Sequence, residues 1–122
     1  MAGAEIWLKE PRDSNYPAAL DYLDLLFPDK QSRKIVNDLK ECKTITKKAK
    51  DILRASGLPL LPADNIHVRE NISKVKSGKK LSPVLLVRGD KLIIADGYHR
   101  VCSIYYLSED LDIPCRITDA KY

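Results

Sequence analysis

The chain has 122 residues, of which 44% are hydrophobic and 31% charged, and a formal net charge of +4. That length suits one domain with a real hydrophobic core, and that balance excludes a disordered chain. No apolar run approaches the ~18 residues that cross a bilayer, and the opening "MAGAEIWLKEPRD" lacks the apolar stretch of a signal peptide, so we expect an intracellular, cytoplasmic protein with no membrane partner.

The first 57 residues read as an N-terminal helical segment. "YPAALDYLDLLF" puts Leu20, Leu23, Leu26 and Phe27 on one stripe, with Pro17 suited to a first turn. After Phe27-Pro28-Asp29, "KQSRKIVNDLKEC" carries Ile35, Val36, Leu39 and Cys42 at helical spacing. "TITKKAKDILRASG" then groups Ile45, Ala49, Ile52 and Leu53, and stops at Gly57 with Pro59 just beyond. Three amphipathic helices are predicted, the last from residue 44 to residue 57. Between Lys30 and Arg54 nine Lys or Arg stand against Asp38, Glu41 and Asp51, a local net charge of +6. The simpler reading is a solvated face; the sharper one is a grip on the phosphate backbone of DNA.

From Leu58 the pattern changes. "LPLLPADNIHV" has the extended preference of Pro59 and Pro62 and ends in alternating Ile66 and Val68, which predicts a strand. "ENISKVKSG" predicts a short helix stopped by Gly78. "PVLLVR" and "KLIIA" predict two strands joined through Gly89-Asp90, a two-residue link that asks for positive φ. A helix through "YHRVCSIYYL" follows, with Tyr105 and Tyr106 in the core and at its rim. The last element is a strand at "DIPCRI", whose Pro114 suggests an edge or a strand start. The expected fold is α+β: about three helices, then β-α-β-β-α-β around a small mixed sheet over residues 58–122. Trp7 is a candidate to dock the N-terminal arm, and His67 reads as a structural histidine.

Cys42, Cys102 and Cys115 form no CxxC pair, and two of them lie in apolar segments where a thiol behaves as a small hydrophobe. Together with His67 and His99 they share no ligand spacing, so no metal site is predicted.

The informative stretch is "KLIIADGYHRVCSIYYL", residues 91–107. A strand hands over to a helix at Asp96-Gly97. A helix start exposes unpaired N–H groups and the positive end of the helix dipole. Gly97 lets a ligand approach the backbone, Arg100 brings a forked cation, and His99 brings a further donor. Together they describe an anion cradle. Asp96 is placed either to cap the helix or to hold a metal, a hydroxyl or His99.

The run "PVLLVRGDKLIIADGYHRVCSIYYL…DIPCRI" resembles the signature region of the ParB/sulfiredoxin superfamily, with "ADGYHR" similar to the Asp-Gly-His-His-Arg form of ParB-like domains and free-serine kinases. The likeness spans about Leu58 to Thr118, with "LLPADNIHVREN" in the place of the superfamily's opening strand. It implies a nucleotide-binding fold in which Gly97, Tyr98, His99 and Arg100 form the phosphate-binding element and Asp96 faces the same pocket. Tyr98 stands where sulfiredoxins carry their reactive Cys, so sulfiredoxin chemistry is not expected. Cys102, one helical turn on, reads as core and not as a substitute. Glu70 is the nearest candidate for the acidic residue that serves as base in the serine kinases; the simpler reading is a surface Glu at a helix start, favourable to its dipole.

Three expectations follow. The first is a ParB-like domain binding a nucleoside triphosphate or diphosphate, with magnesium, or another phosphate compound at residues 96–100. The second is a phosphotransferase or nuclease-type enzyme with Asp96 and His99 as catalytic residues. The third is a DNA-associated regulatory module that uses the basic residues 30–54.

Overall fold

Tyr16, Ala19 and Leu23 recur at intervals of three and four residues and form the buried stripe of the first helix, α1 (Asn15–Leu23). The computed structural model describes residues 6–120. α1 ends before the predicted stripe does: Leu26 lies in the turn that follows and is exposed, while Phe27 N donates to Leu23 O as the chain bends toward Pro28. α2 (Asp29–Glu41) buries Ser32, Ile35, Val36 and Leu39. Cys42 lies just outside it, in extended backbone.

The third predicted helix begins later than expected. Ile45–Lys48 is a strand, β1, and only Ala49–Ser56 is helical, as α3. β-branched Ile45 and Thr46 favour the extended form, and the segment pairs antiparallel with the last strand. All four β1 residues are exposed, and Lys47 and Lys48 place charge on an open sheet edge. α3 stops, as predicted, at Gly57 in the left-handed conformation (φ 69°).

The predicted strand at residues 66–68 is instead the start of helix α4 (Ile66–Lys76). Three alternating residues cannot separate a strand from a helix, whereas Val68, Ile72 and Val75 follow the helical period over two turns. Asn65 fixes the start: its side chain accepts hydrogen bonds from the N–H groups of His67 and Val68.

The two central runs form the predicted antiparallel hairpin, β2 (Val84–Arg88) and β3 (Leu92–Asp96). Residues 89–91 link them, closed by Gly89 N donating to Lys91 O. Gly89 does not have the positive φ that a two-residue link would need. Helix α5 (Tyr98–Leu107) and strand β4 (Asp112–Asp119) complete the chain.

The sheet order is β1-β4-β2-β3, with β4 parallel to β2 and antiparallel to β1. β4 is therefore an inner strand, not the edge that Pro114 suggested. The proline is tolerated because it precedes Cys115, the first residue paired with β2, so only the short β1 lies beside it.

Both faces of the hairpin are covered. Val84 and Leu86 point into a core shared with α3, α4 and α5, while Leu85 and Val87 point into a second core built on α1 and α2. The result is three layers, helices on either face of a mixed sheet, an α+β fold. Each core draws on residues from both sides of Gly57. Trp7 does dock the N-terminal arm: it is buried in the first core and bridges in parallel to Leu81. Cys102 and Cys115 are fully buried, and burial pushes the Cys115 thiol up to about 11.

Arg116 of β4 joins the layers. It is buried, and its guanidinium donates to Tyr16 Oη (3.1 Å), to Leu39 O (3.3 Å), to Lys40 O (2.9 Å) and to Thr44 Oγ1 (3.2 Å). It thus satisfies carbonyls at the end of α2 that the helix itself cannot and holds α1 against them. Arg116→Met keeps the apolar stem and removes the donors. We expect urea melts to show a loss of about 3 kcal/mol, against about 1 kcal/mol for Tyr16→Phe.

Candidate functional site

The site begins with a packing constraint. Gly97 joins β3 to α5 at φ 114°, a left-handed value that side chains disfavour. A Cβ on it would lie 2.5 Å from Val84 Cγ1 and 2.9 Å from Arg100 Nη2. The missing side chain therefore lets β2 press against the start of α5, rather than leaving room for a ligand on that side.

α5 starts without a side-chain cap. Val101 N donates to Gly97 O (3.0 Å), but the N–H groups of Tyr98, His99 and Arg100 have no acceptor among the described residues. Asp96 does not cap them. Its Oδ2 instead accepts from Arg100 Nη2 at 3.0 Å, in an ion pair whose side chains are 17% and 16% exposed. The same Nη2 donates to Pro83 O (3.3 Å), so the guanidinium is clamped, while the buried Nε has no partner. Nη1 also has no partner among the described residues.

The opposite wall is α4. His67, Glu70, Asn71 and Lys74 are spaced i, i+3, i+4 and i+7, so they share one helical face, and that face lines a depression of about 260 Å³ together with residues 96–100. Ser103 Oγ fixes its width, lying 2.6 Å from His99 O on α5 and 3.1 Å from Val68 O on α4. Tyr98 turns its hydroxyl away to donate to Pro59 O. His67 and His99 meet edge to face with ring centroids 4.9 Å apart, and His67 Nδ1 lies 4.0 Å from Glu70 Oε2.

Burial, followed by the neighbouring His67 and Arg100, holds the His99 imidazole below its usual pKa. Burial raises the Tyr98 phenol and the Cys102 thiol. Cys102 is a fully buried core residue, so no thiolate is available at the site.

All five predicted residues, Asp96 to Arg100, therefore line one depression, and Glu70 joins them. His67, expected to be structural, belongs to the same wall. Asn71 and Lys74 were missed in the sequence. Their signal is the helical spacing from His67, which the strand reading of residues 66–68 concealed. The basic residues 30–54 lie elsewhere, spread over α2, β1 and α3, and Arg33, Lys50 and Arg54 are paired with Asp29, Asp110 and Asp51. Among the described residues no helix is long and apolar enough to cross a membrane.

No family model, curated protein or solved structure matches the chain.

Two outcomes test this geometry. Gly97→Ala should cost about 3 kcal/mol, from backbone strain plus overpacking. Adding Val84→Ala should recover about 1 kcal/mol relative to the sum of the single losses, because the clash is between those two positions. For His99, NMR titration should place the imidazole midpoint below about 6.5. With its folded pKa lowered, the unfolded chain binds the proton more readily. The His99 contribution to stability is therefore lost as pH falls through about 6.5, and His99→Gln should be less sensitive than wild type to that change.

Proposed function

We propose that the chain is a ParB-like domain that binds a phosphate-bearing compound, a nucleoside diphosphate or triphosphate among the candidates, at the start of α5. The observation that carries this reading is the uncapped start of α5, where the N–H groups of Tyr98, His99 and Arg100 have no acceptor among the described residues and the same three residues line a depression. Three converging donors at the positive end of a helix are what a phosphate oxygen requires. The clamped Arg100 leaves Nη1 for the ligand, and Lys74 adds a mobile cation from α4. His67 and His99 add donors. The resemblance of the 83–117 run to the ParB/sulfiredoxin superfamily supports the same assignment; the segment set against the superfamily's opening strand is coil and helix α4 here and lends it nothing. Tyr98 in the place of the sulfiredoxin Cys, and the buried Cys102, leave that chemistry without a thiolate.

The test is an amide NMR titration with ATP, ADP, CTP, GTP and inorganic pyrophosphate, with and without magnesium. We expect shifts concentrated on Tyr98, His99, Arg100 and Val101. Lys74→Ala, an exposed change, should weaken binding by about fivefold to tenfold with an unaltered melting temperature, and Arg100→Ala by about tenfold to a hundredfold. Shifts absent from residues 97–101 with every ligand would overturn the reading.

A further inference from the structure

The depression at α5 is not the end of the cavity system. Asn71, Lys74 and Arg100 also line a second, larger trough of about 410 Å³ that continues past them. Its other cations are Arg12, Lys79 and Lys80. The N-terminal arm builds one wall. Leu8 N donates to Leu81 O and Leu81 N to Ile6 O, both at 2.8 Å, and this pairing carries Arg12 to the trough. On the other wall the chain turns out of α4 with Lys79 N donating to Lys74 O, which keeps Lys79 and Lys80 beside Lys74.

The charge inventories of the two hollows differ. At α5, Lys74 and Arg100 face two carboxylates, Glu70 and Asp96, so with neutral imidazoles the formal charge cancels. The trough has five cationic side chains and no carboxylate on its lining. Arg12, Lys74, Lys79 and Lys80 make no ion pair among the described residues. A ligand with a single phosphate would use the amides of α5 and leave this charge unanswered. One with a row of phosphates would use both.

Shape and surface chemistry select among polyanions. Small-molecule sites bury most of their ligand, whereas both hollows here are partly open to solvent. The α5 end also presents the imidazole rings of His67 and His99 beside the cationic track. A positively charged open groove with rings beside it is the arrangement that holds a single strand, its backbone on the cations and a base on a ring.

We infer that the joined hollows form a binding groove for single-stranded nucleic acid, with one phosphate on the Tyr98–Arg100 amides and the following ones on Arg12, Lys74, Lys79 and Lys80. This rests on the phosphate reading of the α5 start and names the ligand class that the site serves.

The probe is a labelled oligothymidylate of about twelve nucleotides, followed by fluorescence anisotropy across a salt series. Inorganic pyrophosphate serves in parallel as the small ligand for amide NMR. The triple variant Arg12→Ala, Lys79→Ala, Lys80→Ala changes only exposed side chains and should melt as wild type does. It should bind the oligonucleotide at least about tenfold more weakly, with a salt slope shallower by about two, at roughly 0.7 per lost contact. Pyrophosphate shifts at Tyr98–Arg100 should persist in it. If they persist while the triple variant binds the strand as wild type does, the groove is overturned and the α5 phosphate site stands. If neither pyrophosphate nor any of the nucleotides shifts those amides in wild type, both fail together. A duplex of the same length that binds as tightly as the strand overturns the single-strand assignment.

Discussion

The close approach of Gly97 to Val84 is the constraint on which the site depends. It sets where β3 stops and where α5 begins, because any side chain at residue 97 would collide with β2. With the helix start pressed against the sheet, Arg100 comes within reach of both Asp96 at the end of β3 and Pro83 O just before β2. The guanidinium is then held from two strands and its own helix. Arginine loses less freedom on binding when its fork is already fixed, so in the proposed function this packing contact would act through a side chain that Gly97 itself leaves room for. Ser103 performs the matching task on the far side, holding α4 at a set distance from α5.

Much of this was legible in the sequence where the signal was long or local. The β2–β3 hairpin, α2 and α5 come from runs whose period admits one reading, and the strand-to-helix handover at Gly97 was legible although its role was not. The failures occur where the signal is three or four residues long. Ile66 and Val68 alternate, but Asn65 caps the backbone just ahead of them and Val68, Ile72 and Val75 complete a helical stripe. Ile45 and Thr46 fit a helical pattern, but β4 offers them an unpaired edge, and tertiary pairing overrides a pattern that weak. These two exchanges compensate for one another: a strand is lost at residues 66–68 and one is gained at residues 45–48. The predicted α-α-α-β-α-β-β-α-β thus becomes α-α-β-α-α-β-β-α-β, in which the first two helices, the hairpin, the last helix and the last strand keep their places.

The misreading at residue 66 had a functional consequence. Treated as a strand, the segment sends His67 to one face and separates it from Glu70 and Lys74. Treated as a helix, it stacks them with Asn71 on the face that meets α5. Half of the site was thus hidden by one local assignment, while Asp96 to Arg100 were found because their order along the chain is also their order in space.

The charges explain why counting cations along the sequence pointed to a different surface. Residues 30–54 have the larger excess, but it is divided among two helices and an edge strand, and three of its members are paired with carboxylates nearby. Surface cations scattered in this way contribute mainly to solubility. Arg12 lies far along the chain from Lys74, Lys79 and Lys80, which belong to one basic run, residues 74–80, that was passed over in the sequence. Yet they converge on one concave surface that holds no acid. A concave wall of one sign focuses potential more strongly than a larger number of charges dispersed over several elements and partly paired with acids. The Asp96–Arg100 pair sharpens the contrast. It cancels charge at the helix start while keeping the guanidinium in place, so the α5 end supplies geometry and the trough supplies attraction. On the proposed reading, affinity grows with the number of phosphates the ligand can set along the groove.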